Sequence, residues 1–117
     1  MLLQVLKSKI HRAIVTEANL EYEGSITIDE DLLNKAQIIP YEKLQIVNLS
    51  TGHRFETYCI PGPKKSGMIC LNGGTARLGA SGDKIIIISY MFISKEELIN
   101  YKPLILRVDD NNKARDE

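Results

Sequence analysis

Apolar and polar residues alternate along most of this chain, and a period of two, rather than a helical period, sets its elements. Residues 2–15 read as one long extended stretch, with Lys9, His11 and Arg12 set among Ile10, Ile14 and Val15. Lys9 and His11 are two apart, so on a strand they face the same side. Residues 16–22 are less regular, and residues 25–28 alternate again as a short strand. Asp29 is a good helix N-cap. Glu30 and Asp31 follow in a first turn, and Leu32, Leu33 and Ala36 form a buried face, so a brief helix is expected through Ala36. Pro40 marks its exit.

Residues 43–49 read as a strand, Ser50-Thr51-Gly52-His53 as a tight turn, and residues 54–60 as the returning strand of a hairpin. On that return Arg54, Glu56 and Tyr58 share one face, and Phe55, Thr57 and Cys59 share the other. A Pro/Gly/Lys-rich surface loop covers residues 61–67 before a strand at 68–71. After Ser81-Gly82-Asp83 the run Ile85-Ile86-Ile87-Ile88 reads as a strand buried on both faces. Ser94-Lys95-Glu96-Glu97 has the form of a capping box opening a second short helix, which Pro103 ends. Residues 104–108 supply a last strand, and the charged tail at 109–117 is expected to fray.

Short, closely spaced strands with only two small helices favour a mainly β fold, a closed barrel rather than a sandwich or an α/β sheet. There is also an internal similarity: Tyr41-Glu42-Lys43-Leu44-Gln45-Ile46-Val47 and Gly82-Asp83-Lys84-Ile85-Ile86-Ile87-Ile88 run turn, acid, lysine and strand in the same order. It suggests two related halves in one barrel.

Composition narrows the function. At 117 residues the chain is a single domain spanning 1–117, small enough for oligomerisation to help its stability. Its 15 basic and 15 acidic residues cancel, without a like-charged run to meet nucleic acid or an anionic membrane. The apolar N-terminal run breaks too early for a signal-peptide core or a membrane span, which points to the cytoplasm. Cys59 and Cys70 lack metal-site spacing and sit in apolar runs, so they are expected to be buried free thiols.

Candidate chemistry centres on Gly24-Ser25. A hydroxyl on the residue after a peptide carbonyl can reach back to it through a five-membered ring, although most Gly-Ser pairs are only turns. Asn72-Gly73-Gly74-Thr75 could converge N–H groups on an anion, but no nucleotide-binding ending follows it. No Ser/His/Asp elbow or metal-ligand cluster is visible.

The ordered set Lys9-Ile10-His11-Arg12, Tyr22-Glu23-Gly24-Ser25, Arg54-Phe55-Glu56-Thr57-Tyr58 and Asn72-Gly73 closely resembles the pyruvoyl-dependent aspartate 1-decarboxylases, over nearly the whole chain. The resemblance implies a double-psi β-barrel, assembled as a homotetramer, that turns L-aspartate into β-alanine for pantothenate synthesis through a Schiff base. It further implies self-cleavage between Gly24 and Ser25 into a 1–24 β chain and a 25–117 α chain. Ser25 would become a pyruvoyl cofactor, with no metal and no pyridoxal phosphate. By the same resemblance Arg54, Lys9 and His11 bind substrate with Gly73, Gly74 and Thr75. Tyr58 donates a proton, and Thr57, Asn72 and Tyr22 support processing or the pyruvoyl group. Val47 departs from a bulky aromatic found in some members, and Thr75 from a common alanine.

Strand alternation separates Thr57 from Arg54 and Tyr58, a conflict that twist, a bulge or a site shared between subunits would resolve. Two alternatives remain open. One is a non-enzymatic small β-barrel serving as a binding or assembly module, which would never cleave itself. The other is a pyruvoyl decarboxylase acting on another amino acid. Cleavage is expected either to be spontaneous or to be assisted by a maturation factor.

Overall fold

The computed structural model describes residues 1–115. Their strands are β1 (Leu2–Ile14), β2 (Glu17–Asn19), β3 (Ser25–Asp29), β4 (Lys43–Asn48), β5 (Arg54–Gly62), β6 (Ile69–Asn72), β7 (Lys84–Ser94) and β8 (Leu104–Arg107). One α-helix, α1 (Glu30–Lys35), and two 3-10 turns at Gly73–Arg77 and Glu97–Asn100 complete the elements.

Only Val15 and Thr16 separate β1 from β2, so the two act as one strand bent between two neighbours. β1 pairs antiparallel with β7, while β2 pairs parallel with β6. Pairing then runs from β6 through β3, β5 and β4 to β7, which returns to β1 and closes the ring. The junction is itself bonded: Val15 N–H donates to Asp83 O at 2.9 Å, and Thr16 N–H to Ile69 O at 2.8 Å. A closed ring leaves few open strand edges, which suits a small domain. With the parallel β3–β5 and β2–β6 pairs, it is the double-psi β-barrel expected above.

The internal similarity has a structural counterpart. Ile46 and Ile87 hold the same place in the two similar segments, and they are direct partners where β4 meets β7. The pairing is symmetric about them, Gln45 facing Ile88 and Val47 facing Ile86. An approximate two-fold axis therefore passes through this pair. Both side chains point inward and are fully buried with Ile10, Ile26, Ile28, Leu44, Ile69, Leu71 and Ile85. These β-branched and γ-branched residues fit a pleated, one-sided core.

Helix α1 closes one end with buried Leu32 and Leu33. Its N-cap, Asp29, is buried, and its carboxylate accepts from the N–H groups of Asp31, Lys65 and Gly67 at 2.8, 2.9 and 2.9 Å. That carboxylate ties the helix to the loop before β6.

The capping box forms, with Glu97 N–H donating to Ser94 Oγ and Ser94 N–H to Glu97 Oε1, and it opens the second short helix, a 3-10 helix. Two expectations change. The isoleucine run is buried on one face only, since Ile85 and Ile87 are inside while Ile86 and Ile88 are half-buried. The tail does not fray across residues 109–115. Asn112 is buried and clamps Ile14 through both its N–H and its C=O, and it also donates to Gly67 O at 2.7 Å. Asp116 and Glu117, the end of that expected fray, lie outside the described residues.

Candidate functional site

Ser25 opens β3 and pairs with Asn72, the last residue of β6. Strand alternation puts Ile26 and Leu71 inside, so Ser25 and Asn72 stand together on the outer face with Thr27 and Cys70. Although on that face, Ser25 is only 2% exposed; Thr75 of the Gly73–Arg77 turn reaches its carbonyl, and the backbone of Tyr22 and Gly24 packs close to Gly73. Asn72 Nδ2 donates to Ser25 Oγ at 2.9 Å and to Thr27 Oγ1 at 2.9 Å. Thr75 Oγ1 lies 2.8 Å from Asn72 O and 3.2 Å from Ser25 O, so it reaches the backbone on both sides of the pair. Ser25 Oγ in turn lies 3.5 Å from Glu23 O, within the segment that precedes the Gly24-Ser25 bond.

Glycine is required at Gly73, not at Gly24. Gly73 has φ +63°, and a Cβ there would sit 2.8 Å from Gly24 Cα and N and 2.9 Å from Tyr22 O. The backbone before Ser25 thus lies directly over Gly73. A Cβ on Gly24 would meet nothing within 4 Å, and the same holds at Gly74. Tyr22, in the covering segment, is 53% exposed.

Tyr58 joins this group through β5. The parallel pair Ile26–Cys59 sets Tyr58 alongside Ser25, on the outer face and partly exposed. Thr57 falls on the inner side with Phe55 and Cys59, as alternation requires. Ser25, Asn72, Thr75, Gly73, Gly74, Tyr22 and Tyr58 are therefore brought to one region.

Arg54, Lys9 and His11 are not. Arg54 is four residues from Tyr58 on the same strand, about 13 Å away at the usual rise. It belongs to a second group on the outer face of β5, β4, β7 and β1. There Arg54 pairs with Val47, which pairs with Ile86, while Gln45 pairs with Ile88, which pairs with Lys9. Arg54 Nη1 donates to Gln45 Oε1 at 3.2 Å, an oxygen that also accepts from Tyr90 Oη at 2.7 Å. Burial, with help from the charges of Lys9, Arg12 and Arg107, lowers the His11 pKa, which favours a neutral ring. Its Nδ1 is buried without a partner among the described residues. A cavity of about 590 Å³ lies beside His11, lined also by Arg12, Lys84, Arg115 and Asp109; Ser25 and Tyr58 do not border it.

The sequence reading missed Thr27 and Cys70. Thr27 is two residues after Ser25 and Cys70 two before Asn72, so strand alternation alone places them on the same face. Both cysteines are free and buried, as expected. Among the described residues, no three His, Cys, Asp or Glu side chains converge as metal ligands, and no helix is long and apolar enough to cross a membrane.

The family model described as aspartate decarboxylase matches residues 1–115. An aspartate 1-decarboxylase of Caldicellulosiruptor bescii is 61% identical over 113 residues, covering 97% of this chain and 88% of the relative. One from Thermoanaerobacter pseudethanolicus is 58% identical over 93% of each chain. One from Leptospira biflexa is 53% identical over 98% of each.

Proposed function

The chain belongs to the aspartate decarboxylase family, and from that premise we propose that it releases carbon dioxide from L-aspartate to give β-alanine, using a pyruvoyl group made from its own Ser25. The observation that carries the reading is the buried Ser25 hydroxyl, held at 2.9 Å by Asn72 and beside a glycine peptide that is packed onto Gly73. The residues present fit such a group: its precursor is shielded, and both its hydroxyl and its carbonyl have a polar neighbour in Asn72 and Thr75.

Processing follows from the chain's own atoms. Ser25 Oγ attacks the Gly24 carbonyl carbon, the C–N bond breaks, and the freed nitrogen takes the proton, leaving an ester. Elimination of the Ser25 α-hydrogen and the Cβ–Oγ bond releases Gly24 as a carboxylic acid and leaves a dehydroalanine. Addition of one water with loss of one ammonia gives the pyruvoyl terminus. Asn72 holds the attacking oxygen throughout, and Gly73 sets the height of the scissile peptide above it.

The pyruvoyl group supplies a conjugated electron sink for the pair left at Cα when carbon dioxide departs. Tyr58, alongside Ser25, returns a proton to that carbon. Arg54, Lys9 and His11 bind the substrate with Gly73, Gly74 and Thr75; the Arg54 guanidinium suits a carboxylate, and Lys9 adds a second positive charge for a dianion. Tyr22 supports processing and the pocket wall, and Thr57, although it alternates inward, borders a cavity together with Tyr58 and supports processing from there.

A single chain keeps these two groups apart, so we infer that a neighbouring copy supplies Arg54, Lys9 and His11 to each Ser25, within a homotetramer. Apolar surface left outside the barrel at Leu2, Phe92, Ile86 and Ile88 supports such packing. The enzyme acts in the cytoplasm and feeds pantothenate synthesis. Denaturing mass spectrometry tests the reading: the mature protein should be two chains, 1–24 and 25–117, the second with a pyruvoyl end. A chain that stays whole at 13.2 kDa, as the Ser25→Ala variant should, would contradict it.

A further inference from the structure

Ser25, Thr27, Asn72 and Cys70 form a block of four on the outer face of β3 and β6, with Ser25 opposite Asn72 and Thr27 opposite Cys70. Asn72 spends both hydrogens of its Nδ2 on the two hydroxyls, at 2.9 Å each. Its Oδ1 faces the other way and accepts from Cys70 Sγ at 3.1 Å.

A side-chain amide can rotate by half a turn with almost no change of shape, exchanging its oxygen for its nitrogen. Ser25 and Thr27 do not resist that rotation, because a hydroxyl donates as readily as it accepts. Cys70 does resist it. A thiol can give its hydrogen to Oδ1, but sulfur is a poor acceptor for an N–H. Burial, reinforced by the nearby Glu17 carboxylate at 3.7 Å, pushes the Cys70 thiol up to about 11, so the hydrogen is present at neutral pH. The thiol is within hydrogen-bond reach of both acceptors, and its shorter contact, 3.1 Å against 3.7 Å, is to Asn72.

We propose that Cys70 is a positioning residue for self-cleavage, whose thiol locks the Asn72 amide with its N–H side toward Ser25. The inference rests on the self-processing reading above. Orientation matters because Oγ is the oxygen that must leave with Gly24 during elimination. An N–H on it stabilises the departing carboxyl, whereas a flipped carbonyl oxygen would face it with like partial charge.

The test follows freshly expressed precursor by denaturing mass spectrometry, alongside thermal melts, for the natural chain, Cys70→Ser, Cys70→Ala and Asn72→Asp. Serine keeps a donor and should cleave within a few-fold of the natural rate. Alanine, without a donor, should cleave about tenfold more slowly, the effect of one lost hydrogen bond, with little change in melting temperature. Aspartate at 72 presents only acceptors and should block cleavage even with Cys70 in place. Alanine at 70 cleaving at the natural rate, serine as slow as alanine, or Asn72→Asp cleaving normally would each overturn the proposal while leaving self-processing intact. A natural chain that never cleaves would overturn both.

Discussion

Lys9 and Arg54 occupy equivalent positions in the two halves of the barrel. Lys9 faces Ile88 across the β1–β7 pair, and Arg54 faces Val47 across β4–β5. Ile88 and Val47 are the matching ends of the two similar segments that meet at Ile46 and Ile87. The same two-fold therefore relates the two cations, and it sets them roughly 15 Å apart at the backbone, with Val47, Ile86 and Ile88 between them. A pair so arranged frames a surface patch, which becomes a pocket only when something covers it.

If a second copy is the cover, defects in the two groups should complement each other. Ser25→Ala lacks the reactive group, and Arg54→Ala should self-cleave normally yet lose about a hundredfold in kcat/KM for aspartate, the scale of a lost charge-assisted contact. Co-assembled hybrids would contain some sites with natural Ser25 and natural Arg54. Their activity should exceed that of either variant alone. Hybrids no more active than Arg54→Ala, despite confirmed mixed assembly, would show that both residues act within one chain.

The two glycines of the processing region should behave oppositely. Gly24→Ala meets no atom within 4 Å and should melt within about 0.5 kcal/mol of the natural protein. Gly73→Ala combines a positive φ with a Cβ 2.8 Å from Gly24, so it should lose about 1–3 kcal/mol and lift the scissile peptide away from Ser25. Slow cleavage in Gly73→Ala is the expected mass-spectrometric result. Equal stability of the two variants would refute the packing argument.

Tyr58 lies beside Ser25 but makes none of the hydrogen bonds that hold its hydroxyl, which come from Asn72 and involve Glu23. Tyr58→Phe should therefore process at the natural rate and then decarboxylate about a hundredfold or more slowly, since proton transfer contributes on that order. Measuring cleavage and turnover on the same preparation separates the steps. A processing defect in Tyr58→Phe would mean the phenol acts earlier than its position suggests.

Much of this was legible in the chain. Period-two alternation located the strands and correctly split Tyr58 from Thr57, because side-chain direction on a strand is fixed by local geometry. The Tyr41 and Gly82 segments announced the two-fold, since duplicated segments tend to fold alike. What stayed hidden depends on distant partners. Asn112 sits in a charged tail and gives no local sign that Ile14 and Gly67 will bury it. The separation of Arg54 from Ser25 is equally invisible, because the order of residues does not state which strand ends meet. Cys70 read simply as a core thiol, and only its register opposite Thr27 reveals the amide it faces.

Glu42, just before β4, is tied to β1 through Lys7 and to β7 through Ser89. Lys7 Nζ donates to both oxygens of Glu42 at 3.0 and 2.9 Å, Ile39 N–H donates to Oε1 at 3.1 Å, and Ser89 Oγ donates to Oε2. Burial alone would raise the Glu42 pKa, but the bonds from Ser89, Lys7 and Ile39 outweigh it and hold the carboxyl below the usual glutamate range. A carboxylate whose folded pKa is depressed contributes stability that is fully present above its unfolded pKa and is lost as pH falls through the folded one. Glu42→Gln should thus cost about 1–3 kcal/mol at neutral pH, because Lys7 loses its counter-charge in a part-buried site. The gap in melting temperature between the natural protein and Glu42→Gln should stay constant from pH 7 down to about 5, then narrow as the natural protein takes up the proton that glutamine cannot. A gap that persists unchanged well below pH 4 would mean that packing around residue 42, and not the charge of Glu42, stabilises this part of the barrel.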